Sequence, residues 1–301
     1  MFQSFTAFVK NNLALLGITL VGLLLRLWHL TSISLWHDEA FSALLIKYSW
    51  SEMMTRIGLD VHPPMYYIFL RVWSYIFGNS LFSLRGMSVL FGVATIITVY
   101  FFVLYTFKSK RAAIISALLV AVNPFQVQYV TEARMYTMGA FFAVAGAFAL
   151  TAALRTQTEY YLNSANVVLQ TKLKKCFLWY YLLFAFCGAI LILTHYYLLF
   201  MVAALGLYAL LYCAIKFRAE FKKYIWVVLS GILIGVSFLP WLKIFLFQFR
   251  QVGAGYWIPP MDRWSIPSTL WELFIRLPLN YGTMIGPLTH AQWGWLIITI
   301  I

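Results

Sequence analysis

The side chains in this sequence that could do chemistry are concentrated in five short motifs. WHDEAF (36–41) puts two carboxylates, Asp38 and Glu39, side by side at the head of an amphipathic stretch. HPPMYY (62–67) sets His62 at a corner stiffened by two prolines, with Tyr66 and Tyr67 on the helix that the prolines start. NPFQVQYVTEARMY (123–136) carries Glu132, Arg134 and Tyr136, THYY (194–197) carries His195, and LPW (239–241) leads to Gln248, Arg250, Trp257 and Pro259–Pro260. Each has a plain alternative. Asp38 and Glu39 could cap a helix and meet its dipole. His62 could mark a turn, Glu132 and Arg134 could be a neutralised pair at a membrane edge, and His195 could be structural.

Together these residue types suit the transfer of a group from a phosphate. Arg134, Arg71 or Arg250 could hold phosphate oxygens through forked, charge-assisted hydrogen bonds. A carboxylate could serve as general base toward an acceptor hydroxyl. Tyrosine and tryptophan rings offer apolar faces to a sugar or an isoprenoid. The sequence contains neither a P-loop nor a GxGxxG, so a lipid-linked phosphosugar is the natural substrate class.

The elements that position these motifs are membrane helices. Apolar residues make up 63% of the 301 and charged residues 10%, far from a soluble domain. Long apolar runs predict spans at 13–30, 84–106, 112–126, 135–154, 177–194, 196–215 and 224–240, with an eighth from about 291. The first run is followed by Arg26, Trp28, His29, Trp36 and His37. No small-residue cleavage site follows it, which predicts a retained signal anchor. Residues 64–78 are apolar but short, centred on Arg71 and rich in Tyr and Trp, as in a helix lying along the interface. With that helix flat and the amino terminus cytoplasmic, 12 of the 22 Lys and Arg fall in short cytoplasmic segments: Lys10, Lys108/Lys110/Arg111, Arg155/Lys172/Lys174/Lys175 and Lys216/Arg218/Lys222/Lys223. A spanning helix would send the last three clusters outward, against the positive-inside rule. This accounts for the net charge of +13 without nucleic acid. It also sends seven of the nine acids and all five histidines to the outer side.

The expected organisation is a seven-span catalytic module over 1–240, with interfacial helices in the outer loop 31–83. An outer-face segment follows over 241–290, and residues 291–301 begin an eighth span that stops short, as in a piece of a longer protein. Gly231 and Gly235 form a GxxxG suited to close helix packing. Cys176, Cys187 and Cys213 have no metal-like spacing.

The five motifs, with SLRGMSVLFGVATIITVYFF (83–102), stand in an order that resembles polyprenyl-phosphate-dependent glycosyltransferases of the GT-C type. They are most similar to glycosyltransferase family 39, with its protein O-mannosyltransferases and aminoarabinose transferases. The similarity covers roughly residues 13–260. It implies an all-α polytopic bundle, and transfer of a sugar with inversion from a polyprenyl-phosphate donor to a protein, lipid or glycan hydroxyl. The site would face outward from the cell (inner) membrane. By the same resemblance Asp38 matches the base and Glu39 its companion, while Glu132 and Arg134 match a second acidic and basic motif. Tyr66, Tyr67 and Tyr136 join the substrate-binding set, as do His62, His195 and Arg250 on weaker grounds. No cofactor is called for, and a divalent cation is left open. The rival class is a transporter or flippase for an amphipathic solute, which would carry charges near the membrane midplane in matched halves. The middles of spans two to seven carry none.

Overall fold

The structure, a computed structural model, describes residues 12–163, 165–218, 220–254, 265–267 and 269. The described secondary structure is helical: α1 (Leu13–Leu27), α2 (His37–Leu45), α3 (Trp50–Leu59), α4 (Met65–Phe77), α5 (Leu81–Phe107), α6 (Lys110–Val122), α7 (Pro124–Val130), α8 (Tyr136–Leu162), α9 (Val167–Ile192), α10 (Leu198–Phe217), a 3-10 turn at Phe221–Tyr224, and α11 (Ile225–Ala254). Five of these are long and apolar enough to cross a membrane, and the α6–α7 pair, bent by 53°, makes a sixth. The protein is an integral, multi-pass membrane protein. α1 is apolar but, at 15 residues, shorter than the roughly 20 that a span needs.

Two expected boundaries move. α8 and α9 run well past 154 and start well before 177, so most of the expected inner loop is helix. Polar residues survive there because they pair across helices. Gln157 is fully buried, donating to the Lys223 carbonyl at 2.8 Å and accepting from the Tyr181 hydroxyl at 2.7 Å. α11 likewise continues through Pro240 to Ala254, so residues 241–254 extend the last helix. Membrane helices tolerate proline where neighbours satisfy the freed backbone. The calls for 255–264, 270–290 and the eighth span lie outside the described residues, as does Lys10.

The break between α6 and α7 has a clear cause. Pro124 has no N–H, so the Val120 carbonyl loses its helical donor. Arg26, fully buried on α1, takes that carbonyl at 3.1 Å and the next, Ala121, at 2.9 Å. Asn123 restarts the chain by accepting from the Gln126 N–H at 2.9 Å. A guanidinium inside an apolar helix thus repairs a proline break and pins α1 to α6.

Close helix approach occurs away from the GxxxG. Side chains built at Gly231 or Gly235 would meet nothing within 4 Å among the described residues, whereas one at Gly188 on α9 would come within 2.5 Å of Ile234 on α11. Among the described residues the GxxxG expectation is therefore corrected: α11 packs on α9 through Ile234.

Helix ends sort by chemistry. At one end Arg155 donates to the Tyr105 carbonyl at 3.2 Å, and Lys223 sits 4.3 Å from the Tyr161 ring centre. The three basic clusters share this end. At the other end Arg85, at the head of α5, reaches the Leu30 carbonyl just after α1 at 2.7 Å. The end of α1 and the start of α5 therefore share one face, and α2, α3 and α4 make no net crossing between them. α4, at 13 residues, is too short to cross.

Candidate active site at the head of the bundle

The two adjacent carboxylates of α2 point in different directions. Glu39 is fully buried. Its carboxylate accepts from Arg85 Nε at 2.9 Å and Nη2 at 2.7 Å, from the Ala133 N–H at 2.7 Å and from the Trp36 N–H at 3.4 Å. Arg85 spends its remaining donors on the carbonyls of Leu30, Ile33 and Ser34. This buried pair ties together α2, the loop after α1, the head of α5 and the loop before α8.

Asp38 remains 36% exposed, with Oδ2 at 3.5 Å from Arg134 Nη2 and Oδ1 at 3.3 Å from His37 Nδ1. Arg134 is only 2% exposed. Around it stand the Asp38 carbonyl at 3.4 Å, Ser42 Oγ at 3.5 Å, the Tyr67 hydroxyl at 3.4 Å and His62 Nε2 at 3.4 Å. These are long contacts for a cation, which bonds oxyanions at about 2.7–2.9 Å. Its Nε is buried with no partner among the described residues. Burial works against the guanidinium charge, but Tyr67 and Asp38 more than offset it and hold the pKa above the ordinary value. Arg134 is a fixed cation with capacity to spare.

Asp60 links this centre to the HPP corner, accepting at 2.9 Å from His62 Nδ1 and at 3.5 Å from the Tyr67 hydroxyl. Burial raises its pKa, yet the His62 hydrogen bond and charge bring it below the usual carboxylate value. His195 packs edge-on to His62 with ring centres 5.7 Å apart. Burial, then His62 and Arg134, push its pKa down to about 4. The ring is therefore neutral near pH 7.

Asp38, Arg134, His62, Tyr136 and His195 line a cavity of about 710 Å³, walled also by Trp36, Tyr129, Thr137 and Tyr197. A second cavity of about 360 Å³ adjoins it and shares Val61, His62, His195 and Tyr197. Its far wall is built by Gln248, which is buried and donates to the Ile57 carbonyl at 2.9 Å. Tyr196 bonds that Gln248 and accepts from Trp241 Nε1 at 2.9 Å. Five motifs far apart in sequence thus meet around two connected spaces.

Residues 61–243 match the family of dolichyl-phosphate-mannose-protein mannosyltransferases. The chain belongs to that family. Among solved structures, the protein O-mannosyltransferase Pmt1–Pmt2 complex of Saccharomyces cerevisiae, bound to the sugar donor, is similar with a TM-score of 0.55 and 19% identity. That similarity covers 80% of this chain and 34% of the yeast chain. The Archaeoglobus fulgidus oligosaccharyltransferase in the apo form aligns over 91% of this chain and 40% of its own, at TM-score 0.49 and 15% identity. No curated protein matches. The chain thus spans about a third of the length of the yeast enzyme's chain, and its fold is that of GT-C membrane glycosyltransferases.

Within this mannosyltransferase-family fold, the expected site residues separate by position. Tyr66 is fully buried in the core beside Tyr67, ring centres 5.5 Å apart, and neither lines the large cavity. Tyr67 reaches the centre through its hydroxyl alone. Glu132 is half-buried, and its carbonyl accepts from Ser88 Oγ at 2.7 Å. Two arginines are not brought in. Arg71 is buried against Tyr48, donating to its carbonyl, and lies 4.6 Å from the Trp50 ring, where it locks α3 to α4. Arg250 is exposed on α11 and lines neither cavity, whereas Gln248 on the same helix lines the second one. Sequence reasoning passed over Asp60 and Arg85. The Asp-x-His spacing at 60–62 is the available signal for the first. The second has none, since an arginine at a helix head reads as an interfacial anchor. Among the described residues no three His, Cys, Asp or Glu side chains form a group able to hold a metal ion.

The low pKa of His195 makes a stability prediction. Its folded value, about 4, lies below the ordinary 6.5. Between these values the unfolded chain binds the proton that the folded one refuses, so stability falls as pH drops from about 6.5 toward 4. Thermal melts of wild type and His195→Asn across that window are expected to converge as the pH is lowered. Parallel curves would remove His195 as the cause.

Proposed function

We propose that this protein transfers a sugar from a polyprenyl-phosphate-linked donor to an acceptor hydroxyl on the outer face of the cell membrane, with inversion at the anomeric carbon. The observation that carries this reading is the juxtaposition of a partly exposed carboxylate, Asp38, with a buried guanidinium, Arg134, on one cavity wall. The acceptor oxygen bonds to the anomeric carbon as the carbon–oxygen bond to phosphate breaks. The lipid phosphate leaves with the bonding electron pair, and the hydroxyl proton passes to an Asp38 oxygen. Arg134 meets the charge that gathers on the departing phosphate, the kind of fixed cation that favours such a transition state. His62 and Tyr67, both bonded to Asp60, stand beside Arg134 and position it, and Glu132 supports the same loop through its carbonyl. Glu39 acts through Arg85 as a positioning residue. Tyr129, Tyr136 and Tyr197 offer ring faces to the sugar or the first isoprene units. Catalysis is assigned to residues 1–240, with recognition of a protein, lipid or glycan acceptor lying partly beyond them.

Arg134→Lys tests the phosphate role, because lysine keeps the charge but loses the planar fork. Donor use, followed with a radiolabelled polyprenyl-phosphate sugar, is expected to drop at least tenfold, on the order of one lost charge-assisted hydrogen bond. An unchanged donor KM and turnover in a folded variant would place phosphate binding elsewhere. Sidedness has its own test. A cysteine at Lys110, at the end opposite the site, should react with a membrane-impermeant reagent only after the cells are opened. Labelling in intact cells would turn the site to the cytoplasm.

A further inference from the structure

At the end of the bundle opposite the carboxylates, α5, α8 and α9 enclose another cavity, of about 350 Å³. Lys108, Arg155 and Lys172 line it, together with Glu159, Thr156 and Tyr180. We propose that this cavity binds the phosphodiester headgroup of an anionic membrane phospholipid. The proposal is independent of the reaction above and concerns the other face.

Its three cations come from separate elements. Lys108 ends α5 in a left-handed conformation, φ 54°, which turns the chain at the cavity mouth. Arg155 projects from α8 and Lys172 from the first turns of α9. Lys108 Nζ lies 4.5 Å and Arg155 Cζ 5.6 Å from the centre of the same Tyr105 ring. Arg155 also donates to the Tyr105 carbonyl at 3.2 Å, which fixes the guanidinium at the wall. Two like charges are thus held beside one aromatic ring. Among the described residues none of the three cations makes an ion pair; Glu159 lines the cavity without closing one. Three cations against one carboxylate leave the lining net positive, and an anion between them relieves their repulsion.

The surroundings select a lipid over a free ion. Leu169 and Leu173 form an apolar part of the wall. Val167 and Val168, adjacent in sequence, are 73% and 82% exposed, surface suited to acyl chains. Basic pockets between membrane helices are a recognised way of holding anionic headgroups.

The test uses the full-length protein in detergent, equilibrated with phosphatidylglycerol or with phosphatidylcholine of the same acyl chains, and reads retained lipid by native mass spectrometry. Preferential retention of phosphatidylglycerol is expected, falling about fivefold for each cation removed in Arg155→Gln/Lys172→Gln. Lys108→Asn preserves the helix end, because asparagine accepts the left-handed backbone, and should show the single-cation loss. Equal retention of the two lipids by wild type, or full retention by both variants, overturns the proposal. Displacement of the bound lipid by excess inorganic phosphate would assign the site to free phosphate and overturn the lipid assignment.

Discussion

Asp38→Asn is expected to leave a folded, donor-binding protein whose sugar transfer is slower by about 10²–10⁴, the contribution typical of a general base. The geometry makes this a clean substitution. Asp38 sits in the first turn of α2, and the side-chain contact at that helix start is made by Glu39, which accepts from the Trp36 N–H at 3.4 Å, not by Asp38. The Asp38 backbone carbonyl, which accepts from Ser42 Oγ at 3.0 Å, is untouched by the change. Asparagine keeps the shape and loses only the negative charge and the capacity to take a proton. The contact with Arg134, at 3.5 Å from a side chain 36% exposed, is too long and too open for its loss to unfold the protein. Turnover and donor binding measured on the same preparation decide the matter. Wild-type turnover in Asp38→Asn would remove Asp38 as base. Lost donor binding with little further effect on turnover would make it a donor contact.

The neighbouring carboxylate behaves differently. Arg85→Met is expected to destabilise the protein by about 3–5 kcal/mol, the usual cost of leaving one partner of a buried ion pair uncompensated. Glu39 accepts hydrogen bonds from two nitrogens of Arg85 and two backbone N–H groups, so the unpaired charge has nowhere to turn. Glu39→Gln removes that charge, and the double variant Glu39→Gln/Arg85→Met should recover part of the loss through the coupling of paired residues. Thermal unfolding in detergent measures all three. Single and double variants that simply add would separate the two residues energetically. This also settles how an inactive Glu39→Gln is read: loss of activity with a lowered melting temperature reports the scaffold, while loss at full stability would move the base from Asp38 to Glu39.

Much of the architecture was legible along the chain because hydropathy and charge are local properties. Apolar runs located the long helices, while the break that Pro124 makes between α6 and α7 falls inside one of those runs. The lysines and arginines at 108–111, 155–175 and 216–223 predicted one shared end, and the structure gathers them there. The same argument puts the motifs at 36–41, 62–67, 123–136 and 194–197 at the opposite end. What sequence could not supply was the partner of each charge. Successive residues of a helix differ by roughly 100° about its axis, so Asp38 and Glu39, adjacent and chemically alike, face different neighbours. One meets the cavity and Arg134; the other meets Arg85, 46 positions away. Arg71 and Arg250 looked equivalent to Arg134 as phosphate ligands, and only packing sends the first to Tyr48 and leaves the second exposed. Helix ends were misjudged for a related reason. Gln157 reads as loop because it is polar, yet it lies within α8, paired with Tyr181 and Lys223 on other elements. The sequence alone determined where the long apolar helices lie and which loops gather the basic clusters, because each follows from transfer of nearby side chains between water and lipid. The tertiary structure decided which carboxylate stays open to a substrate and which is locked away, because that depends on contacts between residues brought together only by folding.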